Sequence, residues 1–109
     1  GNHPIRVQCE CLGSGSAVKA YYEKHPEVMK VLRYFDAAFA AKRIQVPTVF
    51  ACALFDPTVP PPGQFTAYNV CNAEKKLSVF LTGHFNDQYP ERIDEQKRHV
   101  ANCRELGIY

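Results

Sequence analysis

Two short apolar runs, with a proline-rich helical stretch between them, constrain this chain more than any other feature. They are "VPTVFACALF" (46–55) and "KKLSVFLTG" (75–83). Each is continuous and rich in strand-favouring residues, the pattern of a strand covered on both faces. Prolines 60–62 suit the first turn of a helix, which the sequence predicts over about Pro61–Val70. "YPERIDEQKRHVANCRELG" (89–107) then reads as an amphipathic helix stopped by Gly107. Strand, helix, strand, helix in this order is the parallel α/β pattern with a right-handed crossover.

The preceding residues fit the same class. "PIRVQCECL" (4–12) alternates enough for a further short strand, and "GSGS" (13–16) is flexible punctuation. Residues 16–43 carry apolar side chains at helical spacing, but Pro26 lacks an amide donor and crowds the preceding turn. Two or three short helices are predicted there. The expectation is one α/β domain over residues 1–109, with two or three parallel strands and flanking helices. Parallel sheets need both faces covered, and so few strands make a poor independent core. The sheet is therefore expected to be completed either by more chain of a longer protein or by copies of itself, as a homo-oligomer.

Composition removes several function classes. A formal net charge of +2 is too small to point to nucleic acid. The basic residues are interleaved with acids, as in "ERIDEQKR" (91–98), which reads as a solvated helix face. No run reaches bilayer length and no signal peptide is evident, so no membrane partner is expected and a cytoplasmic location follows. The five cysteines, Cys9, Cys11, Cys52, Cys71 and Cys103, are odd in number and irregularly spaced, against a disulfide framework. Cys9 and Cys11 alternate along their strand and face opposite ways, and Cys52 reads as a small apolar core residue. His3, His25, His84 and His99 show no metal-ligand spacing, so no metal or other cofactor is expected.

In open α/β sheets functional groups gather just beyond the carboxyl ends of the strands. Asp56 follows the first run, and His84 follows the second in "LTGHF". Adjacent strands lie about 4.8 Å apart, so loops leaving their ends bring such residues into contact. A carboxylate there fixes the imidazole tautomer and stabilises the imidazolium, leaving the other nitrogen to act as a base. Each residue also has a plainer role: Asp56 as a cap for the proline-rich helix, His84 as a surface or packing residue. Tyr21, Tyr22 and the Phe35/Phe39 pair read as core or intersubunit packing.

The segment "LRYFDAAFAAKRIQVPTVFACALFDPTVPPPGQFTAYN", followed by "KKLSVFLTGHF", resembles the C-terminal part of the acetyl xylan esterase and cephalosporin-C deacetylase family of α/β-hydrolases. The features that carry it are "YFD" (34–36), "RIQVP" (43–47), Asp56 with Pro60 and Pro61, "FTAYN" (65–69) and Gly83-His84. The resemblance implies that Asp56 and His84 are the acid and base of a Ser-His-Asp triad acting on acetylated sugars and related small esters. It implies no diffusible cofactor and a bacterial oligomer.

The nucleophile of such enzymes sits in a G-x-S-x-G elbow on an earlier strand. Ser14, Ser16 and Ser78 are the serines present, and none has that context. Cys9 and Cys11 lie in no elbow either. The chain is thus expected to carry the acid and base of an acetyl-ester deacetylase without its serine, and to be inactive alone. The alternative is a stand-alone, non-catalytic oligomeric module derived from that family.

Overall fold

The computed structural model describes residues 13, 15–85 and 88–109. The expected strand at 4–12, with Cys9 and Cys11, lies outside them. Among the described residues, β1 (Thr48–Ala53) and β2 (Lys75–Phe80) pair in parallel, from Thr48 opposite Lys75 to Ala53 opposite Phe80. Helix α4 (Pro61–Val70) joins them, and α5 (Arg92–Glu105) follows β2. Before β1 come α1 (Gly15–Lys24), α2 (Met29–Leu32) and α3 (Ala37–Ala41), linked by 3-10 turns at Pro26–Val28 and Arg33–Phe35. Pro26 breaks the helical run where expected, and all four later elements lie within their predicted limits.

Side chains alternate across a strand, and paired residues share a face. Phe50 meets the Tyr68 ring of α4 edge-on at 5.6 Å, and Phe80 meets the His99 ring of α5 at 5.7 Å. The sheet is therefore flanked by α4 on one face and α5 on the other. Coverage is nevertheless incomplete, contrary to the expectation of strands buried on both sides. Helix α4 lies over β1, and α5 lies mainly over β2. The diagonal quarters are left thin: Val79 on the α4 face of β2 and Ala51 on the α5 face of β1 are exposed.

The buried apolar residues are Ala41, Cys52, Cys71, Cys103 and Leu106, most of them small. Cys52 takes the core role expected of it, and burial pushes its thiol pKa up. Tyr21, Tyr22, Phe35 and Phe39 are not in the core but on the surface of this chain. The reason is that α1 to α3 are short and pack chiefly on the 3-10 turns between them, with α3 also against α4. The molecule is a slab of 45 × 32 × 16 Å with a radius of gyration of 15.2 Å, against about 13 Å for a rounded domain near this length.

Local chemistry fixes the element ends. Asp36, of the "YFD" segment, accepts the Ala38 amide at 2.7 Å and caps α3. The Lys75 ammonium donates to the carbonyls of Tyr68 and Cys71, both at 2.7 Å, placing a cation on the negative end of α4. Gly107, at φ 71°, ends α5, with Ile108 N–H bonded to Cys103 O and Gly107 N–H to Arg104 O.

The inner face of α5 is unusual. Its buried positions are Glu95 and Cys103, with Leu106 just beyond its end, and its half-buried ones are Arg92, His99, Val100 and Asn102, while Ile93 is 64% exposed. So "ERIDEQKR" is not solvated throughout: Glu95 turns inward. No helix among the described residues is long and apolar enough to cross a membrane.

Candidate active site

The two strands continue to bond past their ends, and this draws the following loops together. Leu54 N–H donates to Phe80 O at 2.9 Å, and Phe55 N–H donates to Thr82 O at 3.0 Å. Asp56 and His84 therefore emerge side by side. His84 Nδ1 lies 3.0 Å from Asp56 Oδ2 and 3.1 Å from Oδ1. A carboxylate only accepts, so Nδ1 carries the proton and Nε2 is the nitrogen left with a lone pair.

Each partner is held by its own turn. Asp56 Oδ1 accepts the amides of Thr58 and Val59, both at 2.8 Å, forming an aspartate-closed turn ahead of α4. The helix itself begins at Pro60 with no side-chain cap, so Asp56 caps the turn and not the helix. Thr82 Oγ1 donates to Phe85 O at 2.8 Å and closes the turn around His84. Gly13, at φ 102°, packs on the Asp56 turn so tightly that an added Cβ would lie 2.5 Å from Pro57 O.

Gln64, which sequence reasoning did not single out, braces the acid from behind. Its Oε1 accepts the Ala53 amide at 2.7 Å, and its Nε2 donates to Val59 O at 2.7 Å and Ala53 O at 3.3 Å. One side chain from the first turn of α4 thus spans the strand end and the Asp56 turn. A glutamine at that position, one turn after an acid-proline loop, was the available signal.

Asp56 is 9% exposed, whereas the His84 side chain is 38% exposed. Burial alone raises the Asp56 carboxyl. The Val59 amide, the His84 imidazole and the Thr58 amide outweigh it and hold the carboxyl below its ordinary value. The pair borders a shallow cleft of about 480 Å³ lined also by Ala53, Phe80, Gly83 and Arg92.

The two described serines, Ser16 and Ser78, are elsewhere. Ser16 donates to Gly13 O at 2.7 Å at the start of α1. Ser78 is buried under α5, where its Oγ receives Asn102 Nδ2 at 3.0 Å and lies 2.9 Å from His99 Nδ1. It borders a separate cleft with Glu95 and Arg98, which shares no lining residue with the cleft at His84. Cys103 Sγ sits 3.9 Å from His99 Nε2, also buried. Among the described residues no group of three or more His, Cys, Asp or Glu side chains is arranged to hold a metal.

A parallel strand pair flanked by helices, with an acid and a histidine joined beyond its carboxyl ends, fits part of an α/β-hydrolase fold. The family model described as Acetyl xylan esterase (AXE1) matches residues 16–102, and the chain belongs to that family. An acetyl xylan esterase from Paenibacillus sp. R4 is similar at 27% identity and a TM-score of 0.63, over 89% of this chain and 33% of that one. Acetyl xylan esterase 1 from Thermoanaerobacterium sp. JW/SL YS485 is similar at 26% identity and a TM-score of 0.57, over 79% of this chain and 30% of that one. The chain thus spans about a third of the length of these solved structures.

Proposed function

We propose that this chain supplies the acid–base pair of an acetyl-ester hydrolase, with His84 as base and Asp56 as its orienting acid. The observation that carries the reading is the Nδ1–carboxylate contact at 3.0 Å between the ends of adjacent parallel strands. The substrate class is the O-acetylated sugar or a related small ester, including the deacetylation of cephalosporin-C-like esters, in keeping with the family.

In that reaction a serine hydroxyl attacks the acetyl carbonyl while His84 Nε2 takes its proton. Asp56 stabilises the imidazolium, which then protonates the departing sugar oxygen. Water, deprotonated by the same nitrogen, hydrolyses the acetyl-serine and releases acetate. Neither Ser16 nor Ser78 borders the His84 cleft, which supports a serine donated by the remainder of a hydrolase domain, of which this chain is the C-terminal portion. Alone, the chain is expected to be inactive.

A second reading is favoured by the sparse core and the exposed Tyr34, Phe35 and Phe55. Here the chain is a non-catalytic homo-oligomeric module, and the Asp56–His84 pair is structural. Acetate release from acetylated xylose separates the two. The 109-residue chain is assayed alone and mixed with the serine-bearing remainder of a related esterase. Activity in the mixture only, lost with His84→Ala, is the expected result. A mixture that binds but never hydrolyses favours the module. Activity of the chain alone, lost with His84→Ala, places a nucleophile within it.

A further inference from the structure

The loop carrying His84 runs from the end of β2 to the start of α5, and both of its ends converge on one buried side chain. Glu95, in α5, is 3% exposed. Its Oε1 accepts the Leu81 amide at 3.1 Å, just ahead of the His84 turn. Its Oε2 accepts the phenol O–H of Tyr89, on the far side of that turn. A buried acid is costly unless its oxygens are satisfied. Here one donor comes from each end of the loop.

Leu81 follows directly on the last residue of β2, and Thr82 beyond it bonds Phe55 beside Asp56. The backbone from Leu81 to His84 is therefore held at one end by Glu95 and at the other by the Asp56 pairing. Tyr89 is kept as a donor. Burial raises its phenol first, and the bond to Glu95 and its charge add to this, with Arg92 opposing.

We propose that Glu95 is a positioning residue for His84, setting the height of the imidazole against Asp56 by clamping Leu81 and Tyr89. The inference rests on the reading of His84 as base. A glutamine at 95 has one acceptor oxygen for two donors and turns an amide N–H₂ toward the other. Tyr89→Phe removes a single donor and leaves Leu81 bonded.

The test uses the full chain labelled with ¹⁵N in histidine and in the backbone, and reads solvent exchange of the His84 ring N–H together with the Leu81 amide. In the unsubstituted protein the ring N–H is expected to be protected by Asp56. Glu95→Gln is expected to speed its exchange about tenfold, the loss of roughly one hydrogen bond, with a smaller increase in Tyr89→Phe. Faster exchange at Leu81 with the His84 ring unchanged overturns the inference, because Glu95 then only anchors α5. If Glu95→Gln does not fold, Tyr89→Phe decides: an unchanged His84 ring again overturns it. An unprotected ring N–H in the unsubstituted chain is a different failure, that of the acid–base pairing itself, and Asp56→Asn serves as its reference.

Discussion

The residues before β1 and those from β1 onward are built on different terms. Helices α1 to α3 are short and separated by 3-10 turns, and they expose Tyr21, Val31, Tyr34 and Phe35. From Thr48 onward, side chains are bonded across elements: Gln64 to Ala53, Lys75 to Tyr68, Asp56 to His84, Glu95 to Leu81 and Asn102 to Leu77. None of these is an apolar contact. The lesson is that the second region holds its shape by directed polar bonds around strand ends, where the buried apolar area is too small to specify it. Among the described residues of the first region, only Gly15, Asp36 and Ala41 are buried.

The comparison is broken most sharply at Asp56. In the complemented enzyme, Asp56→Asn is expected to lower kcat by about 10³–10⁴-fold, because the imidazole loses its tautomer and its counter-charge. An equal loss in Asp56→Asn and in a distant surface variant would defeat this.

Next is Gln64→Leu, which leaves the Ala53 amide and carbonyl and the Val59 carbonyl without the bonds described. A loss of about 2–3 kcal/mol in denaturant unfolding is expected. Gly13→Ala should follow at about 1–3 kcal/mol, since a side chain meets the Pro57 and Thr58 carbonyls at positive φ. It sharpens the contrast, because Gly13, ahead of α1, presses on the Asp56 turn.

Acid adds a smaller effect with a fixed sign. The Asp56 carboxyl is lowered in the folded chain, so its contribution is fully present above the unfolded value of 3.8. It is lost as pH falls through the lower folded value. The stability gap between the unsubstituted protein and Asp56→Asn should therefore close below about pH 4, read from urea midpoints across pH. Smallest of all is Tyr34→Ser: at 82% exposure it should move stability by less than about 0.5 kcal/mol. A larger loss would mean that the first region is covered in solution.

What was legible in the sequence follows the same division. The two strands and α4 show in runs of Val, Phe and Leu and in prolines at a helix start, because those signals are local. That Asp56 and His84 would meet was legible because strand-end position is a topological property that element order reveals. Glu95 was hidden inside a charge run, and charge marks solvent only when a residue's partner is absent. The clue was helical spacing: stepping back from Leu106 and Cys103 by three or four leads through Asn102 and His99 to Glu95. Ile93, which looked apolar enough to face inward, lies outside that row. The sheet's thin quarters were equally invisible, since a run of apolar residues states what a strand tolerates and not what covers it.

The Gln64 side chain has one more effect, on how far the sheet can grow. Odd-numbered residues of β1 turn their backbone groups away from β2, and those of Ala53 are already occupied by the glutamine amide. A strand laid along that margin would find the Ala53 amide already bonded, so the ladder loses one donor at the end of β1 nearest the His84 cleft.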